Sequence, residues 1–324
     1  MQPSSQPQQP IKTRIWIEYE FATLNQQQSI EEMKDKYEIT DLNQFINIPD
    51  SNIKFALDKE YYDSIYEIKT YPSPNFTTNI HKIQGFIREN ISQSLYIQNP
   101  WPDYTWTHIH IFKDFEKKKN RPPLLPIIDE VFTTITNFMI DFTLNPYVNH
   151  IIKVRELSRL TKSNNLIKYF DHNYLKDSLK LMARNNNIYF SYDSVWIDNP
   201  KYQPVIYSPK REGKNYSIEV RYVPNSYFLL SKPEEIKNFL KRIIKINEDT
   251  RTITPADQLL QIHVKSILNN YHILINLLNY AQKNNHCNLL NIEAIREKPL
   301  PLELRNISEK IISAFYQDYW NELP

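Results

Sequence analysis

Glycine is almost absent from this chain, since only Gly85 and Gly213 occur among its 324 residues. A phosphate-binding P-loop and a dinucleotide-binding fingerprint each need several glycines, because the backbone must approach the phosphates closely. Both motifs are therefore excluded. A nucleotide that binds to this protein must be held by side chains and metal ions.

Cysteine and long apolar runs are also scarce. The single cysteine, Cys287, excludes an internal disulfide and a cysteine-based zinc cluster, and it agrees with the reducing cytoplasm, which is the location we predict. No apolar run approaches the ~18 residues that would predict a membrane span. Residues 1–10 are rich in Gln, Pro and Ser and do not resemble a signal peptide. We expect residues 1–12 to form a disordered tail.

Neither sign of charge dominates the chain. It has 39 basic and 37 acidic residues, and its formal net charge is +2. This balance predicts no general attraction to nucleic acid or to an anionic membrane. With 41% hydrophobic residues, the chain has enough apolar surface for a packed core.

The spacing of apolar residues predicts an α+β fold. Alternation with a period of two predicts strands at 13–21, 53–55, 61–71, 105–112, 188–196, 202–207 and 216–222. Helical spacing predicts helices at 29–37, 77–94, 124–144, 150–160, 174–184, 254–283 and 303–320, and one after a capping box at 231–234. We therefore expect a domain at 13–231 with an antiparallel or mixed sheet, and a helical region at 232–324 that packs on it.

Four of the predicted strand segments carry residues suited to metal or phosphate. They lie at residues 15–21, 65–69, 107–112 and 218–222. Side chains two positions apart on a strand share a face. This rule places three pairs on common faces, namely Glu18 with Glu20, His108 with His110, and Glu219 with Arg221. If the four strands pair in one sheet, acids, imidazoles and a guanidinium collect on one surface.

Each of these residues also has a purely structural interpretation. Glu18 and Glu20 can be the solvated face of a strand, and the two histidines can be structural. Glu219 and Arg221 can form a surface ion pair. Glu67 shares its face with Lys69, which can be its solvated partner. Single motifs do not separate these alternatives.

In their order along the chain, the four segments resemble the amidoligase family of carboxylate–amine ligases, relatives of glutamine synthetase. The family's first strand reads approximately Gly-Val-Glu-Ile-Glu-Phe, and residues 16–21 read Trp-Ile-Glu-Tyr-Glu-Phe. A Glu-containing strand that runs into Ser-Pro-Pro is similar to residues 66–74, and a His-Val-His strand is similar to residues 108–111. The family's Thr-Val-Glu-Phe-Arg strand is similar to residues 217–221. The resemblance covers roughly residues 13–240.

The resemblance implies a curved, mainly antiparallel sheet whose concave face binds ATP and Mg²⁺. It implies that one of the two histidines is a metal ligand, and we choose His108 for this role. The full set of implied metal ligands is Glu18, Glu20, Glu67, His108 and Glu219. His110 and Arg221 would contact the phosphates, and Arg221 and His108 would be catalytic. ATP would convert a substrate carboxylate to an acyl phosphate, and the amine of a small molecule or peptide would then attack it to form an amide. Phosphoryl transfer of this kind depends on charge neutralisation and positioning, which metal ions supply without a glycine-rich loop.

The chain departs from the family at two glycines. Trp16 and Ile17 stand at the glycine position before the first Glu, and Trp106 and Thr107 stand at the glycine position before the His-x-His strand. These larger residues predict a narrower nucleotide pocket. A protein that keeps the ligase sheet but serves a structural, non-catalytic role is one alternative.

The other alternative is a metal-dependent nuclease. The sequence His108-Ile109-His110 also resembles the His-hydrophobic-His motif of rolling-circle replication nucleases, which use a metal and a tyrosine nucleophile. Tyr280 and Lys283 fit the Tyr-x-x-Lys pattern of those enzymes. This interpretation leaves Glu18, Glu20, Glu219 and Arg221 without a role.

Overall fold

The structure is a computed structural model. It describes residues 13–22, 27–59, 65–90, 107–112, 124–146, 148, 150–161, 205–209, 216–223, 233–248, 257–283, 290–309 and 313. The predicted tail at 1–12, helix at 174–184 and strand at 188–196 lie outside these residues.

Among the described residues, seven strands form one antiparallel sheet in the order β2-β3-β4-β1-β5-β7-β6. The strands are β1 (Arg14–Ala22), β2 (Ile46–Asn47), β3 (Lys54–Lys59), β4 (Ile65–Thr70), β5 (Thr107–Phe112), β6 (Val205–Pro209) and β7 (Tyr216–Val223). Each pair of neighbours runs antiparallel. The predicted α+β class with an antiparallel sheet is therefore confirmed.

The helices lie between and after the strands. They are α1 (Gln27–Lys36), α2 (Ile80–Asn90), α3 (Leu124–Leu144), α4 (His150–Thr161), α5 (Pro233–Glu248), α6 (Asp257–Lys283) and α7 (Ile292–Arg296). Residues 302–309 are also helical. None of the described helices combines the length and the apolar character that crossing a membrane would require.

The two faces of the sheet differ sharply in polarity. On β1 and β5 the residues Ile15, Ile17, Tyr19, Ile109 and Ile111 are at most 1% exposed. They alternate with Trp16, Glu18, His108 and His110, whose side chains point to the opposite face. The alternation in the sequence thus gives the sheet an apolar face and a polar face.

The apolar face belongs to a single buried core that also includes residues from the helices. The helix α6 packs mainly on α3 and α4, and α5 packs on α3 and α2. On α5 the buried residues Ile236, Phe239, Leu240 and Ile243 follow the spacing of one helical stripe. The helices therefore fix the sheet from its apolar side.

Most of the predicted elements agree with the structure to within a few residues. The bounds of α3 match the predicted 124–144, and β6 and β7 overlap the strands predicted at 202–207 and 216–222. The short elements β2 and α7 were not predicted, because two to five residues are too few for a periodic signal. The described helical residues 302–309 fall at the start of the predicted helix at 303–320.

At the end of the ladder between β1 and β4, a side-chain hydroxyl takes the place of a backbone hydrogen-bond partner. The ladder between these strands includes Glu18 and Lys69 as partners. At the next position the buried Thr70 hydroxyl accepts a hydrogen bond from Ile17 N at 2.8 Å and lies 3.4 Å from Ile17 O. The threonine thus satisfies backbone groups that the ladder does not.

We expect Thr70→Val to lower the free energy of unfolding by about 1–3 kcal/mol, because it leaves a buried backbone N–H of Ile17 unsatisfied. Denaturant unfolding measures this change. Thr70→Ser keeps the hydroxyl and is the matched control, which should lose less stability. A valine variant as stable as the wild type would show that the hydroxyl is not needed.

Candidate metal site on the polar face of the sheet

The strands β4, β1, β5 and β7 lie side by side and contain the four segments singled out in the sequence. Glu18 lies opposite Lys69 on one side and His108 on the other. His110 lies opposite Trp16 and Glu219. Because residues that are directly opposite each other share a face, these side chains converge on one surface.

Glu18, His108 and His110 form the centre of this surface. Oε2 of Glu18 lies 3.0 Å from Nε2 of His110 and 3.6 Å from Nδ1 of His108. One potential ligand atom from each of the three residues lies within 4.8 Å of the other two. Two ligand atoms at ~2.1 Å from an ion in tetrahedral geometry are about 3.4 Å apart. The spacing of these three residues therefore fits one metal ion.

The burial of His110 supports a ligand at this position. This residue is 5% exposed; its Nε2 faces Oε2 of Glu18 at 3.0 Å, whereas within the described part of the chain its Nδ1 makes no hydrogen bond. A buried polar atom without a partner is costly. Trp16 stacks on the imidazole at 4.5 Å between ring centroids and an interplanar angle of 3°. The indole fixes the ring plane, and a bound ion would satisfy a ring nitrogen.

Glu18 is held in its charged form. Burial acts against the charge, but His110 and His108 together hold the pKa of the Glu18 carboxyl well below its usual range. Hydrogen bonds and opposite charge stabilise a carboxylate in this way. Glu18 therefore offers a carboxylate ligand at neutral pH.

Glu219 lies on the other side of His108. Its carboxylate is buried, and Oε1 lies 3.6 Å from Nδ1 of His108. Glu18 and Glu219 therefore approach the same ring nitrogen of His108. A carboxylate this close to the three-residue group can join the ligand set after a small shift.

Glu67 belongs to a second cluster rather than to the three-residue group. Its buried carboxylate lies 2.9 Å from Nζ of Lys69, and Oδ2 of Asp58 lies 2.6 Å from the same ammonium. Partial burial works against the charge of Lys69, but Asp58 and Glu67 raise the pKa of its ammonium above the usual range. The pairing of Glu67 with Lys69, the structural alternative for Glu67, is observed.

The remaining predicted site residues are located by their backbones. Glu20 pairs with Glu67 across β1 and β4. Arg221 lies in β7, beside the irregular register that separates Thr107 from Ile109 on β5. The side chains of both residues lie outside the described part of the structure.

Sequence reasoning missed two contributors to this surface. Asp58 lies opposite Glu67 on β3, and its role follows only from that register. Trp16 stands at a glycine position of the family, and because it precedes Glu18 by two residues it shares the face of that carboxylate. Comparison of the chain with family models, with curated proteins and with solved structures gave no match in any of the three.

Proposed function

We propose that this protein is a carboxylate–amine ligase that uses ATP and a divalent cation on the polar face of its sheet. The observation that carries the proposal is the convergence of Glu18, His108 and His110 from β1 and β5, between the other two family-like strands. The reaction class rests on the resemblance of the four segments to the amidoligases. Their adjacency in one sheet supports that resemblance.

The donor set fits a divalent cation. Glu18, His108 and His110 would hold it, and the carboxylate of Glu219 would lie beside His108. A bound cation would neutralise phosphate charge. Mg²⁺ prefers oxygen ligands almost exclusively, whereas Mn²⁺, although also a hard ion, accepts imidazole ligands more readily than Mg²⁺ does. We therefore expect Mn²⁺ to support nucleotide binding at lower concentrations than Mg²⁺.

Other side chains of the chain would shape the nucleotide site. Trp16 covers one side of His110 and fills space that a glycine would leave open. Lys69 brings a protonated ammonium next to Glu18. Both features favour a narrow, charged site where phosphates can be positioned for transfer to a substrate carboxylate.

Titration with a fluorescent ATP analogue tests the proposal. We expect binding in the presence of Mn²⁺ or Mg²⁺ and none in the presence of a chelator. An intact protein that binds no ATP under any of these conditions would favour the non-catalytic alternative. Production of ADP and phosphate that requires both a carboxylate and an amine would identify the reaction class.

The nuclease alternative shares the metal site but also needs Tyr280. This residue lies near the end of α6, which packs mainly on α3 and α4, and the neighbouring Ala281 carbonyl contacts His150 of α4. The backbone of Tyr280 therefore lies in the group of packed helices and not in the sheet. The three metal-ligand candidates occupy the polar face of the sheet.

We expect Tyr280→Phe to leave cation-dependent ATP binding unchanged, because the hydroxyl has no role in the proposed site. We also expect the wild-type protein to form no covalent adduct with labelled single-stranded DNA in Mn²⁺, as judged on denaturing gels. An adduct that appears with the wild type and disappears with Tyr280→Phe would establish the nuclease function instead.

A further inference from the structure

The described carboxylates of the polar face carry more negative charge than the two positive charges of one divalent ion can balance. Its described carboxylates are those of Glu18, Asp58, Glu67 and Glu219, and Glu67 and Glu219 are buried. Carboxylates that are gathered in this way repel one another unless cations lie between them. In many phosphoryl-transfer sites a second metal ion, about 3.5–4 Å from the first, has this role.

In this chain an ammonium already lies between two of these carboxylates. Nζ of Lys69 is 2.6 Å from Asp58 and 2.9 Å from Glu67, distances of charge-assisted hydrogen bonds. Lys69 is also the direct cross-strand partner of Glu18, the carboxylate of the three-residue metal group. The ammonium is thus close to the metal group and on the same face.

We propose that Lys69 is a built-in cation that takes the place of a second metal ion, so that the polar face binds one divalent ion and not two. The inference rests on the cation site of the proposed function. The single ion binds at Glu18, His108 and His110. Glu67 and Asp58 hold the ammonium instead of a metal, and its charge remains in place when the divalent ion leaves.

Lysine suits this role for a chemical reason. Its ammonium is a compact charge with three donors, of which Asp58 and Glu67 engage two. A divalent ion that bound Glu67 would have to displace this ammonium or lie against it. Repulsion between the two cations therefore disfavours a second ion as long as Lys69 is charged.

The stoichiometry of Mn²⁺ binding to the full-length chain tests the inference without reference to catalysis. Bound Mn²⁺ is counted from the loss of the free-ion signal in electron paramagnetic resonance. We expect one ion per wild-type chain and one per Lys69→Arg chain. Lys69→Met removes the charge but keeps the apolar stem, and we expect it to bind two ions per chain.

Two bound ions in the wild type, or a single ion in a folded Lys69→Met variant, would overturn the inference. If Lys69→Met does not fold, as judged by circular dichroism, anomalous diffraction from wild-type crystals in Mn²⁺ decides. We expect one peak, next to Glu18, His108 and His110. A peak within coordinating distance of Glu67 would refute the role of Lys69.

These results separate the inference from the proposed function. One bound Mn²⁺ without any ATP binding would refute the ligase proposal and leave the role of Lys69 standing. Two bound Mn²⁺ ions with normal ATP binding would refute the role of Lys69 alone. A chain that binds no Mn²⁺ would refute both.

Discussion

Replacement of Glu18 by glutamine is expected to weaken Mn²⁺ binding by at least about 100-fold and to abolish cation-dependent ATP binding. Glu18 supplies the only carboxylate of the three-residue group, and its charge lies between two imidazoles. Loss of a group that merely orients a metal ligand already costs about 10–100-fold in affinity, so loss of the ligand itself should cost more. Calorimetric titration with Mn²⁺ measures the first effect, and the fluorescent ATP analogue measures the second.

Glu31→Gln is a suitable control for this experiment. Glu31 is an exposed residue of α1 that pairs with Lys34, so its replacement removes one carboxylate of the same size outside the sheet. We expect wild-type affinity for Mn²⁺ and ATP in this variant. Normal affinities in Glu18→Gln would exclude Glu18 as a ligand and would refute the proposed cation site.

Replacement of Ile109 by alanine is expected to lower the stability of the fold strongly and to leave the Mn²⁺ affinity unchanged. Ile109 lies between His108 and His110 in sequence, but its side chain is 0% exposed and belongs to the core. Removal of large aliphatic side chains from a core costs about 2–5 kcal/mol. This is a large part of the 5–15 kcal/mol that stabilises a typical domain. Denaturant unfolding without metal measures the loss.

We expect the folded fraction of Ile109→Ala to keep its affinity for Mn²⁺. His108→Gln is the matched variant on the same strand, and it should lose Mn²⁺ affinity with a much smaller change in stability, because its side chain is on the polar face and is partly exposed. Loss of Mn²⁺ binding by a folded Ile109→Ala protein would show that the two faces of β5 are not independent.

The directions of the side chains on β1 and β5 could be predicted from the sequence. Alternation over residues 15–21 and 107–112 requires only that these segments are strands, because each residue of a strand points to the face opposite its neighbour. The separation of Ile109 from His108 and His110 followed in this way. The long helix at 124–144 was predicted for a similar reason, since its apolar spacing extends over many turns.

The positions of residues across the sheet could not be predicted from any local pattern. From the sequence, Glu67 could be a metal ligand, as the resemblance implies, or the partner of Lys69, and the structure brings the ammonium within 2.9 Å of it. The contact of Asp58 with the same ammonium depends on the register of β3 against β4. The stacking of Trp16 on His110 likewise requires β1 and β5 to be neighbours.

The sequence by itself determined that no glycine-rich loop can hold a nucleotide, and that acids and histidines lie opposite the apolar face of the strands. Both conclusions concern composition or neighbours along the chain, where covalent geometry sets the outcome. Only the tertiary structure decided that Glu18 meets two imidazoles whereas Glu67 meets an ammonium. These contacts form between strands far apart in sequence, and strand order and register arise from the packing of the whole core.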